Sequence, residues 1–315
     1  MTTNGYKAWP KERTRELFAK PFNDLLSQAH QALRDNFPHN KIQCSTLYNI
    51  KTGGCPENCG YCSQSAHYNT DLKKQPLDSL ENVISAAKAA KDGGASRFCM
   101  GAAWRSPRQP DLDVVKAMIK AVKGMGLETC VTLGMVSEDQ ADQLKEVGLD
   151  YYNHNIDTSE EFYRYVVTTR TFDDRLKTLD NVSGAGIKVC CGLIIGMGES
   201  SNDHMEALMT LANLPQPPES VPINMLIPMD GTPMANAAKV HPFDFVRVIA
   251  VARIMMPRSY VRLSAGRSAM SDEMHALCLF AGANSIFFGD KLLTTENSSI
   301  TRDEMLLQKL GIGIE

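Results

Sequence analysis

The chain has 315 residues, 43% of them hydrophobic, and a net charge of −3 from 33 basic and 36 acidic residues mixed along its length. That size supports one large α/β domain or two modest ones, and the balanced charge gives no field to attract nucleic acid or an anionic membrane. No apolar run is long enough to span a bilayer and the opening MTTNGYKAWPKERTREL has neither a secretory nor an organellar pattern, so small-molecule chemistry in the cytoplasm is expected.

Residues 1–40 read as a helical extension, with Leu17, Phe18, Phe22, Leu25, Leu26, Ala29 and Leu33 on a helical period. From residue 41 to 298 a unit repeats: a short β-rich run, a polar loop, an amphipathic helix, then a glycine ahead of the next run. In order the runs are STLYNI, SRFCM, LETCVTL, LDYYNHNI, IKVCCGLII, VPINMLI, YVRLSA and ANSIFF, with Gly94, Gly126, Gly148, Gly186 and Gly282 as punctuation. Eight β/α units in roughly 250 residues predict a (β/α)8 TIM-type barrel rather than a doubly wound sheet. Residues 299–315 read as a peripheral tail.

Nine cysteines without a signal peptide suggest metal ligands, catalytic groups or buried thiols rather than disulfides. Directly after the first run, GGCPENCGYCSQS sets Cys55, Cys59 and Cys62 at spacing C-x3-C-x2-C. A cubane four-iron cluster normally takes four cysteines, so three nearby thiolates leave one iron open. The competing reading is a closed zinc site with His67 as fourth ligand. Cys99, Cys130 and Cys190 lie in three different runs, where inward thiols at similar height would converge on a second centre. Either Cys190 or its neighbour Cys191 joins them, not both; Cys44 and Cys278 read as structural.

The cysteine loop, with Tyr61 before its last cysteine, resembles the signature of the radical S-adenosylmethionine (SAM) superfamily. That resemblance implies a 4Fe-4S cluster on Cys55, Cys59 and Cys62, with the amino and carboxylate groups of SAM on the open iron. Cleavage of the SAM sulfonium by an electron from the cluster would give methionine and a 5'-deoxyadenosyl radical. From about residue 40 to LLTTENS near 298, the segments YNHNIDTS, VPINMLIPMDGTP, ARIMMP and YVRLSAGR resemble the biotin synthase family. On that resemblance a 2Fe-2S cluster that donates sulfur falls on Cys99, Cys130, Cys190 and Arg262. Residue chemistry alone makes Arg262 a charge partner for sulfides, because guanidinium carries only donors.

In YYNHNIDTS, strand alternation would put Asn153, Asn155 and Asp157 on one face and His154 on the other. Asn224 in VPINMLI adds another amide, whose donor and acceptor match a cyclic urea. The resemblance assigns Asn153 and Asn224 to the ureido ring of dethiobiotin, and Asn155 and Asp157 to the SAM ribose. It also assigns Arg175 to the SAM carboxylate, and the segment with Gly192, Ile194 and Glu199 to the adenine. Taken singly, Tyr61 reads equally as a packing residue, and Trp104 and Arg105 are unremarkable loop residues. The resemblance further implies a flavodoxin- or ferredoxin-type electron donor and a homodimer.

Overall fold

The computed structural model describes residues 8–289, 291–292 and 294–315. Two helices lead in, α1 (Lys11–Ala19) and α2 (Phe22–Asn36), each starting behind a proline that cannot continue a preceding helix. They bury Leu17, Leu25, Leu26 and Ala29. The alternating units follow as β1 (Lys41–Lys51), α3 (Leu80–Asp92), β2 (Arg97–Ala102), α4 (Gln109–Gly124), β3 (Glu128–Thr132), α5 (Glu138–Glu146) and β4 (Tyr151–Asn153). After α6 (Glu160–Val166) and α7 (Phe172–Gly184) come β5 (Lys188–Cys190) and β6 (Leu193–Ile195), then α8 (Ser201–Ala212). The last units are β7 (Ser220–Met225), α9 (Pro242–Met255), β8 (Tyr260–Leu263), α10 (Asp272–Phe280) and β9 (Ser285–Phe287).

Neighbouring strands pair in parallel around the ring, and β1 pairs with both β2 and β9, which closes the sheet into a barrel. All eight predicted runs carry barrel strands, the fifth of them split into β5 and β6. The split falls at Gly192, where a side-chain Cβ would stand 1.8 Å from the Pro222 carbonyl oxygen. The glycines ahead of the strands, Gly94, Gly126, Gly148, Gly186 and Gly282, all hold positive φ, a conformation that ends a helix cheaply only without a Cβ.

Burial separates two cores. One lies between strands and helices, while a smaller one inside the barrel contains Cys99, Cys130, Tyr151, Cys190, Phe287 and Leu292. Arg97 closes the barrel below these cysteines, fully buried, with its guanidinium 3.5 Å from the Tyr151 ring centre and 2.8 Å from Glu128. Beyond the barrel, a short hairpin of β10 (Lys291–Leu292) and β11 (Thr295–Glu296) precedes α11 (Ile300–Leu310) and β12 (Gly313–Ile314). The α11 helix buries Asp303, Leu306 and Leu307, and β12 adds to the start of β1. No helix among the described residues is long and apolar enough to cross a membrane.

Candidate active site

Barrel strands point their C-terminal ends toward one face, and loops gather there. On that face a cavity of about 320 Å³ is lined by Cys55, Cys59 and Cys62 from the loop after β1 and by Cys99, Cys130 and Cys190 from three strands. Arg262, Asn153, Asn155, Asp157, Arg175, Ile194 and Asn224 line it as well. One chamber therefore receives both cysteine sets and most of the polar positions singled out in the sequence. Its size is within the range of small-molecule sites.

The three strand cysteines are deep, each at most 3% exposed, and Cys99 and Cys130 are register partners on β2 and β3. Hydrogen bonds among the thiols divide the protons unevenly. Cys130 is held protonated by its bonds to Cys190 and Cys99, while its bond to Cys190, with the Arg262 charge, pulls Cys190 down to about 5. Cys191 faces outward into the core between strands and helices, where burial pushes its thiol up. Arg262 is 1% exposed, donating from Nε to Ser285 Oγ at 2.9 Å and from Nη2 to Gln43 Oε1 at 3.2 Å. Its guanidinium lies 4.8 Å from the Phe287 ring centre.

At the mouth, burial raises the thiols of Cys55 and Cys59 and pushes Cys62 up to about 12. A metal centre binding there must displace those protons. His67 turns Nε2 to the Pro56 carbonyl at 3.0 Å, and among the described residues no three His, Cys, Asp or Glu side chains converge on one ion. To act as a fourth zinc ligand through Nε2, His67 would have to give up the Pro56 carbonyl. Arg105, Arg170 and Arg175 face Glu57 and Asp157 beside this loop, three cations against two anions. The surplus positive charge suits an anionic cluster and a ligand carboxylate.

Strand alternation fails past Asn153, where β4 ends; Asp157 takes φ 69° and is bridged to Leu193 instead. Asn153, Asn155 and Asp157 still reach the cavity, and His154 lines it too, buried with no partner for Nε2. Asn153 donates to Asn155 Oδ1 at 3.2 Å and to Cys190 Sγ at 3.3 Å, and accepts from Thr132 Oγ1 at 3.2 Å. Asn224 donates to Leu193 O at 2.9 Å and accepts from Ala265 N at 3.2 Å. Asp157 accepts from Arg175 Nη2 at 2.5 Å and from the Tyr61 hydroxyl at 3.0 Å. Tyr61 is thus a partner of the polar wall rather than mere packing.

Two predicted positions do not line the cavity. Glu199 folds back on its own turn, accepting from Gly196 N and Met197 N at 2.7 Å each and facing His204 at 2.8 Å. Gly192 touches β7 rather than the chamber, its missing side chain making room for Pro222. Both shape the wall that presents Ile194. Conversely, Trp104 lines the chamber and Arg105 ion-pairs with Glu57 at 2.8 Å, although both looked ordinary in sequence, and Glu57 and Arg170, which sequence reasoning did not single out, line the chamber too.

Residues 49–212 match the Radical SAM superfamily, the class of enzyme that the barrel and its cysteine loop define. Among solved structures the fold is similar to a methylornithine synthase (TM-score 0.82, 19% identity, 99% of this chain and 95% of that one). It is also similar to the FeFe-hydrogenase maturase HydG from Carboxydothermus hydrogenoformans (TM-score 0.83, 18% identity, 98% and 76%). Residues 222–313 match the Biotin and Thiamin Synthesis associated domain. A biotin synthase from Brucella ovis is 61% identical over 307 residues, covering 98% of this chain and 94% of the relative, and one from Brucella canis matches to the same extent. The chain belongs to the biotin synthase family.

Proposed function

We propose that the chain inserts sulfur into dethiobiotin to give biotin, using a 4Fe-4S cluster on Cys55, Cys59 and Cys62 and a 2Fe-2S cluster on Cys99, Cys130, Cys190 and Arg262. The observation that carries this reading is that both cysteine sets and the two amides Asn153 and Asn224 line one chamber. When bound, the clusters and SAM supply what no side chain can: a primary carbon radical able to take hydrogen from an unactivated C–H bond, and the sulfide to be inserted.

The chain's own residues bind, orient and exclude water. Arg175, buried and charged, offers the SAM carboxylate a guanidinium, and Asp157 with Asn155 offers acceptors to the ribose hydroxyls. Ile194 gives the adenine an apolar wall. Asn153 and Asn224 stand on β4 and β7, with the split strand β5–β6 between them in the ring, and both line the chamber, where their amides would read the N–H and C=O edges of the ureido ring. Arg97 and Tyr151 seal the floor beneath the cysteines against water. We further assign residues 1–40, of which 1–7 lie outside the described residues, as a helical extension, 41–298 as the barrel domain and 299–315 as a peripheral tail, with a flavodoxin- or ferredoxin-type donor and a homodimer on family resemblance.

Cys130→Ala should retain SAM cleavage to 5'-deoxyadenosine while losing biotin, and Cys59→Ala should lose both. Biotin formed at the normal rate by Cys130→Ala would refute the sulfur-donor role. SAM cleavage retained by Cys59→Ala would refute the first cluster's assignment.

A further inference from the structure

The loop carrying Cys55, Cys59 and Cys62 rests on the connection between α6 and α7. Gly60 N donates to Val166 O at 2.8 Å, and Asn58 Oδ1 accepts from Thr168 N and Thr169 N at 2.9 and 3.1 Å. From the end of that connection Arg170 reaches back, placing Nη2 3.6 Å from Cys59 Sγ. Its side chain is 7% exposed, with Nε 4.0 Å from Glu57 Oε2 and without a hydrogen-bond partner. Glu57 is engaged elsewhere, accepting from Arg105 Nη1 at 2.8 Å and from the Thr169 hydroxyl. Nearby Arg175 is neutralised by Asp157 at 2.5 Å. Arg170 is therefore a buried cation, loosely countered, aimed at a single sulfur.

We propose that Arg170 sets the reduction potential of the cluster held by this loop, donating N–H to the Cys59 sulfur and placing fixed positive charge beside a centre that gains one negative charge on reduction. The proposal rests on the reading that Cys55, Cys59 and Cys62 hold a four-iron cluster. Hydrogen bonds to ligand sulfurs and nearby charge both favour the reduced, more negative form, and burial keeps salt from screening the effect. Arg170 is a positioning and tuning residue, acting through Cys59. Removing it should make the first electron harder to add without removing any thiolate.

The test uses the full chain reconstituted with iron and sulfide, reduced by dithionite without SAM. The potential of the cubane signal is followed by EPR in wild type, Arg170→Met, Arg170→Gln and Arg170→Lys, with iron and sulfide counted per chain. Arg170→Met is expected to keep its iron while its reduction equilibrium constant falls about tenfold or more, ~59 mV for one electron. Arg170→Gln, a donor without charge, should fall by less, and Arg170→Lys should stay within about threefold of wild type. If Arg170→Met does not fold, the contrast between Gln and Lys decides the matter. An unchanged or raised potential in the loaded, uncharged variants overturns the proposal, as does loss of iron from all three. A wild type that shows no cubane signal overturns the reading of the cysteine loop instead.

Discussion

Cys190 and Cys191 are adjacent, chemically identical and equally buried, yet they face opposite sides of the barrel wall. Replacing each in turn by alanine separates ligation from packing. Cys191→Ala deletes one buried sulfur from a close-packed layer and should cost about 1–2 kcal/mol of unfolding free energy, the transfer contribution plus a small cavity. Its iron content should not change. Cys190→Ala removes a thiol already pulled down to about 5 by its hydrogen bond with Cys130 and the Arg262 charge. Reconstituted protein should then fall from about six irons per chain to about four, the two-iron centre being lost while the cubane stays. Iron and sulfide analysis with visible absorption reads the first effect, and urea unfolding of the metal-free chains reads the second. Equal iron loss in both variants, or loss confined to Cys191→Ala, would refute the inward placement of Cys190.

Three further outcomes are expected. His275 is 2% exposed with no partner for either ring nitrogen, and burial, reinforced by the charges of Arg267 and Arg302, lowers it from 6.5 to about 4. The unfolded chain takes up this proton near pH 6.5 and the folded chain only near 4, so stability should fall through that window by at most about 1.4 kcal/mol per pH unit and level off below it. In His275→Leu, urea unfolding from pH 7 to 4 should lose that component; an unchanged pH slope would contradict it. Asp303→Ala strands the buried Arg267 guanidinium, which also donates to Phe287 O at 2.5 Å, and should cost about 3–5 kcal/mol and expose residues 299–315 to protease. A loss below about 1 kcal/mol would mean the pair is dispensable. Gly192→Ala would place Cβ 1.8 Å from Pro222 O, so the chain must shift at a cost of about 3 kcal/mol or more, and wild-type unfolding stability would show that the contact relaxes freely.

Much of this was legible in the sequence because the signals were local. Each strand run and its preceding glycine obey short-range rules, and C-x3-C-x2-C is contained in one loop. The strand cysteines were legible as a set because a barrel turns three separate strands toward one interior. What escaped depends on long-range partners. Arg175 is singled out only by the family resemblance, since from its own helix it reads as a surface charge until Asp157, 18 residues earlier, is folded against it. Arg170, Arg105 and Glu57 carry no periodic signature, and their meaning lies in a contact between segments more than 40 residues apart. The YNHNIDT segment misled in detail because alternation assumes an unbroken strand, whereas Asp157 adopts a left-handed backbone that re-aims the wall. Glu199 misled because a carboxylate beside glycines also serves to cap its own turn.

The most direct test of the account is an anaerobic single-turnover reaction of the iron- and sulfide-reconstituted chain with reductant, SAM and dethiobiotin, measuring biotin and 5'-deoxyadenosine together. The expected result is biotin with about two deoxyadenosines per product, because two C–H bonds must be opened to close one sulfur ring. Deoxyadenosine without biotin would contradict the substrate and the sulfur-donor role, and absence of both products would contradict the assignment of the chamber itself.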